Sequence, residues 1–475
     1  MAKSYEKFIA AKAYSPIYAG IDVDLEDLNP ALFDNQRYIV HRALRQGRFA
    51  VWSGVGTGKS VIQLSWADEV QKHCNKPIIV FAPLAVSHQL AREANKFGVT
   101  ANVVTCQDEV TNGINITNYE KLDKFDMSVF CGVVLDESSL LKSQTGKYRT
   151  QLINECSHMQ FKLACSATPS PNDYMELGNH AEFLSIRTYT EMLAEFFTHD
   201  GGNTAKWRLK KHGSNKFWEW LATWAVMFRK PQDIGFDVEG YDLPPLNITY
   251  KTTDVLMTPQ DGTLFYIPGG SIQDRRAVRK ASLVERCTLA ADIVNASDEQ
   301  WLVWCGLNDE SDLLAKSINE SVEVAGKHSD SHKIQAMLDF QNESTKVLVS
   351  KPSICGMGLN FQQSHNMIFV GLSDSFEELY QAIGRQYRFG QTSPVNIIIV
   401  HDVKEGNVIA NIKRKWNDAD AMLDKMVEQM KKQHIRMMGT SKRDTELYER
   451  DYNIKLPDWY YKNIEEMSNV YCTPI

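Results

Sequence analysis

FAVWSGVGTGKS, residues 49–60, is the most informative segment of the sequence. It begins as a short apolar run, becomes rich in glycine and ends in Lys59-Ser60, where a segment with helical spacing begins. Glycines let the backbone N–H groups of such a loop point at phosphate oxygens, and the helix N-terminus adds partial positive charge. A strand, a Gly-rich loop and a helix in this order predict a phosphate-binding loop. Its predicted residues are Ser53, Gly54, Val55, Gly56, Thr57, Gly58, Lys59 and Ser60.

Two side chains of this loop have predicted roles. Lys59 is expected to reach the β and γ phosphates of a nucleotide, and the Ser60 hydroxyl is expected to bind Mg²⁺. The strict pattern begins with glycine, whereas this sequence has Ser53 at that position.

Strand-like apolar runs continue along the chain, separated by segments with helical spacing. The runs are short and lack polar alternation, as in strands buried on both faces of a parallel sheet, and the alternation with helices predicts an α/β fold. The first series is Phe49–Ser53, Pro77–Ala82, Asn102–Cys106, Ile114–Thr117, Val133–Asp136 and Lys162–Ser166. The second series, which predicts a second α/β lobe, is Leu246–Thr252, Trp301–Cys305, Val322–Ala325, Lys346–Ser350, Met367–Val370 and Val395–Val400.

A region with a different residue pattern lies between the two series, at about residues 182–240. Trp218, Leu221 and Ala225 would share one helical face, so we predict a helix over Asn215–Arg229. Tryptophans on such a face are more often core than base-stacking surface. The four tryptophans of this region are Trp207, Trp218, Trp220 and Trp224.

Two further segments complete the predicted organisation. Pro231–Pro245 is rich in Gly, Pro and Asp and predicts a linker. The chain after Lys404 predicts a helical tail to about Met438 and then becomes polar and irregular.

Composition limits the class of protein. The 475 residues carry a net charge of −7, which argues against a simple sequence-specific DNA-binding module but allows a motor with a local basic track. The nine cysteines include no C-x-x-C pair, as in a protein with free thiols in a reducing compartment. The sequence has no apolar run of about 18 residues and no secretory-type apolar segment near its start. We therefore expect no membrane contact and a cytoplasmic location, in a prokaryotic cell or in the host cell of a virus.

An acidic pair follows one of the predicted strands. Val133-Val134-Leu135 leads directly into Asp136-Glu137, and ligands of open α/β sheets bind at the carboxyl ends of the strands. Asp136 is expected to hold Mg²⁺, and Glu137 to orient and deprotonate the attacking water.

Two arginines near the end of the second series are spaced three apart. If Gln381–Gln391 is helical, Arg385 and Arg388 share one face. Ser375 and Glu378 fit a capping box that would start this helix. Arginines from one lobe aimed at a nucleotide on the other would stabilise transition-state charge only when the lobes close.

Taken together, the chain resembles the superfamily 2 helicases, and within them the Swi/Snf-like branch of double-stranded-DNA translocases. The matching segments, in order, are residues 53–60 (motif I), Ala82-Pro83-Leu84 with Gln89 and Glu93 (motif Ia), Thr117–Glu120 (the TYE segment), Asp136–Ser143 (motif II), Ser166–Pro169 with Asn172, Glu176 and Leu177 (motif III), Ser350–Asn360 (motif V) and Gln381–Gln391 (motif VI). Motif VI matches nearly residue for residue. The large helical insertions of chromatin remodellers are mostly missing, so the chain resembles compact prokaryotic or bacteriophage members.

The resemblance implies two tandem RecA-like lobes with parallel central sheets, a helical insertion between them and a helical C-terminal tail. We expect the first lobe at residues 1–240, with the insertion at about 182–230, the second lobe at 241–403 and the tail at 404–475. ATP and Mg²⁺ are the implied cofactors. The implied catalytic residues are Lys59, Asp136, Glu137, Gln381, Arg385 and Arg388.

The resemblance also assigns supporting roles. Gln36 lies where the family has its adenine-reading glutamine, and a glutamine amide can satisfy both hydrogen-bonding edges of adenine. Gly358 of motif V joins the nucleotide site. Ser166 and Thr168 of motif III are expected to couple hydrolysis to movement. Motif II departs from the pattern, because Ser139 replaces the histidine that normally links it to motif III.

Nucleic acid, most of all double-stranded DNA, is the implied partner, contacted mainly through phosphates, which position without reading sequence. Two basic clusters are further candidates, although charge runs are usually solvated faces. The contacts implied by resemblance are Ser87, Gln89, Thr117, Asn118 and Ser353. The basic clusters are Lys206, Arg208, Lys210, Lys211 and Lys216, and Arg275, Arg276, Arg279 and Lys280.

The sequence leaves several functions open. The favoured one is an ATP-dependent translocase on double-stranded DNA. A helicase directed to RNA or single strands uses the same chemistry. An ATP-gated clamp or scaffold in replication or repair belongs to a different functional class. It remains an alternative because Ser139 replaces the histidine of motif II. A ring-forming AAA+ ATPase is disfavoured, because the second lobe within this chain brings its own arginines. Protein partners, pathway and the role of the tail are not specified.

Overall fold

The first predicted series of strands forms a single parallel sheet. The computed structural model describes residues 17–142, 146–170, 173–200, 203–210, 213–255, 279–355, 360–373 and 375–437. The strands are β1 (Arg48–Ser53), β2 (Ile78–Ala82), β3 (Ala101–Val103), β4 (Ile114–Asn118), β5 (Gly132–Asp136), β6 (Phe161–Ser166) and β9 (Ala225–Phe228). Their order is β3-β4-β2-β5-β6-β1-β9, and all neighbours pair in parallel.

The second predicted series forms another parallel sheet. Its strands are β10 (Leu246–Thr253), β11 (Trp301–Cys305), β12 (Ser321–Val324), β13 (Val347–Ser350), β14 (Asn366–Val370) and β15 (Val395–Asp402). Their order is β10-β15-β14-β11-β13-β12. The elements around the first sheet, Asp34–Phe228, are called the first lobe below, and those around the second sheet, Leu246–Asp402, the second lobe. The predicted fold class, two α/β units with parallel sheets, is confirmed.

Helices cover both faces of each sheet. They are α1 (Asp34–Gln46), α2 (Lys59–Cys74), α3 (Leu84–Lys96), α4 (Lys147–Glu155), α5 (Leu177–Phe183), α6 (Tyr189–Phe196), α7 (Ser214–Trp224), α8 (Leu283–Asn295), α9 (Asn308–Ser317), α10 (Asp330–Gln341), α11 (Pro352–Cys355), α12 (Phe376–Ile383) and α13 (Gly406–Met437). Short 3₁₀ turns lie at Leu25–Asp27, Gln107–Glu109, Tyr119–Lys124, Met127–Val129, Ser138–Lys142, Tyr174–Glu176, Pro231–Ile234 and Val403–Glu405.

The strands owe their uninterrupted apolar sequence to burial on both faces. In β1, Phe49 and Val51 belong to one core cluster, while Ala50 and Trp52 belong to the cluster on the opposite face. Two further clusters cover the two faces of the second sheet in the same way. Because helices leave neither face of a sheet in water, alternation with polar residues is unnecessary.

The region between the two series differs from the prediction. The helix predicted over Asn215–Arg229 is wrong in its second half: α7 ends at Trp224, and Ala225–Phe228 forms the edge strand β9 beside β1. The region also contains an antiparallel hairpin, β7 (Phe197–Asp200) and β8 (Asn203–Leu209). A short, fully buried apolar run has the same pattern in a strand as in a buried helix, so periodicity could not separate the two.

The tryptophans of this region are core residues, as predicted. Trp218, Trp220 and Trp224 are buried in the cluster that also holds Trp52. Trp207 is half-buried against the same cluster, with its ring 3.7 Å from that of His199. Burial of Trp218, Trp220 and Trp224 leaves these three side chains no exposed ring on which a base could stack.

The C-terminal helix α13 packs on both lobes. Val408, Ile409 and Ile412 belong to a core cluster of the second lobe, whereas Met426 and Met430 are fully buried in a cluster of the first. Between these two ends, Arg229 pairs with Asp420 at 3.0 Å and with Asp424 at 2.9 Å. The predicted helical tail is confirmed to Met437, and the remainder of the predicted tail lies outside the described residues.

No helix of the described part of the chain is long and apolar enough to cross a bilayer. Both sheets and α13 as far as His434 belong to one compact unit.

Substitution of Met426 by alanine is expected to reduce the free energy of unfolding by about 2–4 kcal/mol, because it leaves a cavity where α13 enters the core of the first lobe. Urea unfolding followed by tryptophan fluorescence measures the loss. Glu428→Ala, on the exposed side of the same helix, should change the value by less than about 0.5 kcal/mol. Equal effects of the two substitutions would show that this end of the helix is not packed as described.

Candidate active site between the two lobes

The phosphate loop connects β1 to α2. Gly56 and Gly58 have φ angles of 81° and 86°, in the left-handed region that glycine adopts without strain. Gly58 is the N-cap residue of α2, so the loop opens directly onto the positive end of that helix. Lys59 begins α2, and its ammonium donates hydrogen bonds to the carbonyl oxygens of Ser53 at 2.9 Å and Gly54 at 3.0 Å. Ser60 lies half-buried in the first turn of α2.

Ser53, the residue that departs from the strict pattern, has a structural role in this loop. Its hydroxyl lies 2.6 Å from the hydroxyl of Thr57, which in turn donates to the Gly54 carbonyl at 2.9 Å. A glycine would leave this cross-loop bond unmade. Gln36 adds a second tie, because its Nε2 donates to the Thr57 carbonyl at 3.2 Å while its Oε1 accepts from Phe33 N–H at 3.0 Å. Gln36 therefore lies against the loop, beside the place predicted for the adenine base.

The acidic pair is at the carboxyl end of β5, two strands from β1. β6 lies between them, with Asp136 beside Cys165 and Trp52 beside Ser166 in the registers of the two pairings. Burial raises the pKa of Asp136 to about 7, with the neighbouring Glu137 adding to the rise and Lys59 opposing it. Burial also lowers the pKa of Lys59, against the effect of both carboxylates. The Lys59 ammonium and the two carboxylates therefore influence one another's charge.

Glu137 has an unusual backbone conformation. Its φ is 57°, in the left-handed region, which costs a residue with a side chain of order 1 kcal/mol or more. The conformation turns the chain sharply as it leaves β5. Glu137 Oε2 is buried and accepts no hydrogen bond from the described residues. A buried carboxylate oxygen with unused acceptor capacity suits a general base that must receive a proton.

The second lobe brings Arg385 and Arg388 to the same site, but not on a helix. The prediction of a helix through Gln381–Gln391 is wrong, because α12 ends at Ile383 and both arginines lie in the turns that follow. The predicted start is partly right: the Ser375 hydroxyl accepts from Glu378 N–H at 3.3 Å, while the Glu378 carboxylate accepts from Ser373 at 2.8 Å.

The arginines nevertheless reach the acidic pair. Burial lowers the pKa of Arg385, and Glu137 and Asp136 oppose this by stabilising its charge across the lobe boundary. Burial lowers the pKa of Arg388 to about 10, with Arg385 as the next cause. Arg388 also donates to the Asn360 side chain. Gln381 is half-buried in the last turn of α12.

Backbone packing brings the two lobes into contact here. A Cβ at Gly56 would lie 2.7 Å from the Phe389 nitrogen and 3.1 Å from Arg388 Cβ, and a Cβ at Gly384 would lie 2.9 Å from Val55. The Phe389 ring lies 4.7 Å from Tyr241 and 6.4 Å from Phe33. An aromatic cluster from both lobes therefore borders the Gln36 side of the phosphate loop.

The predicted coupling residues form a local turn. Ser166 is buried, and its hydroxyl accepts from Thr168 N–H at 3.1 Å. Ser139 stands where the family has a histidine that links motif II to motif III. Its hydroxyl donates to Glu377 of the second lobe at 2.9 Å, so the 3₁₀ turn Ser138–Lys142 contacts α12.

Motif III has another buried partner that the sequence analysis missed. The Nε2 of His180, in α5, donates to the Pro169 carbonyl at 3.0 Å, and its ring packs edge-on against Trp52 of β1. Burial lowers the pKa of His180 to about 4, so the ring is neutral at pH 7. No motif in the sequence indicates a role for His180, because its contact with Pro169 depends on the turn between motif III and α5.

The predicted nucleic-acid contacts are dispersed along the carboxyl ends of the strands and the helices that follow. Thr117 and Asn118 end β4 and are buried. Ser87 is buried against the Pro83 carbonyl, and Gln89 donates to Glu93 at 2.8 Å. Ser353 is exposed on α11.

The basic clusters do not form a continuous track in the described residues. Lys210 donates to the carbonyls of Ala194 and Glu195, and Arg279 pairs with the buried carboxylate of Glu310 at 3.2 Å. Arg279 is therefore a structural residue of the second lobe and not a phosphate contact. Lys216 and Lys280 are exposed. Several predicted residues lie outside the described part of the chain: Asn172, Lys211, Arg275, Arg276, Gly356 and Gly358.

Comparison with known proteins adds family relationships to this geometry. The family model "Helicase conserved C-terminal domain" matches residues 281–390. "Putative protein p41" of Acyrthosiphon pisum secondary endosymbiont phage 1 is 23% identical over 458 residues, which cover 84% of this chain and 98% of that protein. The "SWI/SNF-related matrix-associated actin-dependent regulator of chromatin subfamily A-like protein 1" of Xenopus laevis is 25% identical over 414 residues, 79% of this chain. The match spans only 42% of the Xenopus protein's length.

A solved structure shares the fold. "S. cerevisiae Dbp5 bound to RNA and ADP BeF3" matches with a TM-score of 0.51 and 13% identity, over 84% of this chain and 98% of that one. This likeness supports two RecA-like lobes. The motifs, their order and these relatives together support the predicted family and a nucleic-acid-dependent ATPase.

His180 provides a pH test of the site's packing. Its folded pKa of about 4 lies below the unfolded value of 6.5, so the folded state binds fewer protons between these limits and loses stability as the pH falls through them. From pH 7 to pH 4.5 the loss from this group should be roughly 2 kcal/mol, at about 1.4 kcal/mol per pKa unit. His180→Gln should lack this component of the pH dependence, measured by urea unfolding at both pH values, whereas His158→Gln, at an exposed position, should retain it. A wild-type-like slope in His180→Gln would contradict the assignment.

Proposed function

We propose that this chain, a member of the Swi/Snf-like branch of the superfamily 2 helicases and a nucleic-acid-dependent ATPase, uses ATP hydrolysis to move along double-stranded DNA. The observation that carries the proposal is the packing of the second-lobe loop after α12 on the phosphate loop, where Gly56 lies against Arg388 and Phe389. The electrostatic effect of Asp136 and Glu137 on the pKa of Arg385 agrees with this arrangement. A hydrolytic site completed by a second lobe of the same chain couples each turnover to relative movement of the lobes. We take residues 1–240 and 241–403 as these lobes and 404–475 as the tail that joins them.

The chain's own residues account for the hydrolytic step. Lys59 exchanges the Ser53 and Gly54 carbonyls for the β- and γ-phosphate oxygens of ATP, whose negative charge is the better partner. Glu137 accepts a proton from water as the water oxygen attacks the γ-phosphorus. The bond from the γ-phosphorus to the bridging oxygen breaks, and ADP leaves with the electron pair. The proposed proton acceptor is the buried Oε2 of Glu137, which accepts no hydrogen bond from the part of the chain that the structure describes.

The donor set suits Mg²⁺. Ser60 and Asp136 offer a hydroxyl and a carboxylate, and Mg²⁺ prefers oxygen ligands and usually takes one or two carboxylates together with substrate phosphates. Within the described ranges no group of three or more His, Cys, Asp or Glu side chains could hold an ion alone. Bound there, Mg²⁺ would neutralise charge on the β and γ phosphates.

Relative movement of the lobes is coupled to hydrolysis because the two arginines belong to the second lobe. Arg385 and Arg388 stabilise the charge of the γ-phosphoryl group only while the loop after α12 lies on the phosphate loop. Gln36 is the proposed reader of the adenine base, and Gln381 and Gly358 are proposed to join the nucleotide site from the second lobe. Ser166 and Thr168 would relay the state of the site to the nucleic acid.

The nucleic acid is proposed to run across the carboxyl edges of both sheets. Thr117 and Asn118 at the end of β4, Ser87 and Gln89 in α3, and Ser353 in α11 are the proposed phosphate contacts. Duplex DNA is favoured because motifs III and VI resemble those of the duplex-translocating branch. The proposed location is the cytoplasm of a prokaryotic cell or of a virus-infected cell.

Steady-state ATPase activity should rise by at least about tenfold with duplex DNA and less with single-stranded DNA or RNA. Glu137→Gln removes the general base and should reduce the stimulated rate by about 10²-fold or more, the range typical of such groups. Greater stimulation by RNA or single strands would favour the alternative substrates. Tight ATP-dependent DNA binding with no stimulated turnover would favour the clamp. If no nucleic acid stimulates the ATPase and none binds in an ATP-dependent way, both the translocase and the clamp are excluded.

Arg385→Ala should reduce kcat by about 10³-fold and change the Kd for ATP much less, because an arginine finger acts mainly on the transition state. Single-turnover hydrolysis and the binding of a fluorescent ATP analogue measure the two quantities. Lys280→Ala, an exposed position in the same lobe, is the control. If Arg385→Ala weakens ATP binding as much as it slows hydrolysis, the finger role is wrong.

A further inference from the structure

One carboxylate joins the acidic motif of the first lobe to the helix that precedes the arginines of the second. Glu377, in the first turn of α12, accepts a hydrogen bond from the Ser139 hydroxyl at 2.9 Å through Oε1. Its Oε2 forms an ion pair with Lys142. Both partners belong to the 3₁₀ turn that begins directly after Glu137.

The contact of Glu377 with Ser139 and Lys142 is partly shielded from water. Ser139 is 4% exposed, and the side chains of Glu377 and Lys142 are 17% and 39% exposed. A partly desolvated carboxylate that accepts both a hydroxyl and an ammonium binds more strongly than a solvated surface pair. Its two oxygens face different partners, so the arrangement fixes the orientation of the carboxylate as well as its distance.

Each side of the contact is held in place by its own lobe. On the first lobe, the Lys142 carbonyl accepts from Asn179 at 3.2 Å, and Arg149 donates to Asn179 at 2.9 Å. On the second lobe, Phe376 is buried and packs edge-on against Trp416 of α13, with ring centres 5.6 Å apart. A displacement of one element is therefore transmitted to the other through Glu377.

We propose that Glu377 is a positioning residue for ATP hydrolysis, which aligns the arginine loop with Glu137 through Ser139 and Lys142. The inference rests on the proposed function. Glu377 touches no reacting atom. It bonds Ser139, which lies two residues after the general base Glu137, and it belongs to α12, which ends two residues before Arg385. The serine that departs from the family's motif II thereby links the nucleotide site to the other lobe instead of to motif III.

A series of substitutions at one helical turn tests this role. Glu377→Ala removes both contacts and should reduce kcat about tenfold, with the KM for ATP changed by less than about twofold, because positioning acts on the transition state. Glu377→Gln keeps an acceptor for Ser139 but loses the ion pair, and should reduce kcat about threefold. Glu378→Gln is the matched control and should stay within about twofold of wild type, because among the described residues its parent carboxylate accepts a hydrogen bond from Ser373 of its own lobe.

Two further variants separate positioning from folding. In a double-mutant cycle, Ser139→Ala should cost little once Glu377→Ala is present, because both remove the same contact. Lys142→Glu combined with Glu377→Lys restores the ion pair with reversed charges and should recover at least about half of the lost kcat. Thermal unfolding of every variant is measured in parallel, and kcat values are compared only among variants that are folded at the assay temperature.

The outcomes are distinct. Loss of kcat in Glu377→Ala with an unchanged KM and recovery in the charge-reversed pair supports the proposal. Wild-type kcat in Glu377→Ala, or equal losses in Glu377→Ala and Glu378→Gln, overturns it. Basal and DNA-stimulated rates are both measured. If nucleic acid does not stimulate the wild type, the proposed translocase function fails, while the basal kcat of Glu377→Ala still decides the positioning role.

Discussion

The two lobes meet through their backbones at the phosphate loop, and this contact requires glycine on both sides. Side chains at Gly56 or Gly384 would lie within 3 Å of Phe389 or Val55. Because both positions are glycines, the loop after α12 lies directly on the loop after β1. Glu137 then stabilises the charge of Arg385. Burial raises the pKa of Asp136 and lowers the pKa values of Lys59 and Arg388, so the charged groups of this site are partly withdrawn from water.

The charges gathered by this contact suit a polyphosphate. Three cationic side chains, Lys59, Arg385 and Arg388, face the two carboxylates Asp136 and Glu137, which leaves a surplus of positive charge. Away from the site the lobes are joined by a different kind of contact, the packing of α13 into both cores and the carboxylate of Glu377 between them. The reactive groups thus depend on contacts that involve no nucleotide, and changes far from the phosphates can alter the alignment of the arginines.

The sequence predicted most of what local pattern determines. The phosphate loop, the acidic pair and the strands of both sheets follow from short stretches whose burial and glycine content leave few conformations. β9 was missed because its four apolar residues continue the pattern of α7, and only pairing with β1 makes them a strand. Arg385 and Arg388 were predicted to lie on a helix, but α12 ends at Ile383, before both of them. The bond from Ser139 to Glu377 joins residues 238 apart, and no local pattern encodes such a contact.

Helix α13 has 32 residues and is therefore about 48 Å long. Its first turns are anchored in one lobe, and Met426 and Met430 are anchored in the other. Separating the lobes must bend this rod or pull the methionines from their socket, and both require mechanical work. A helix anchored at both ends in this way opposes separation of the two lobes with an elastic resistance.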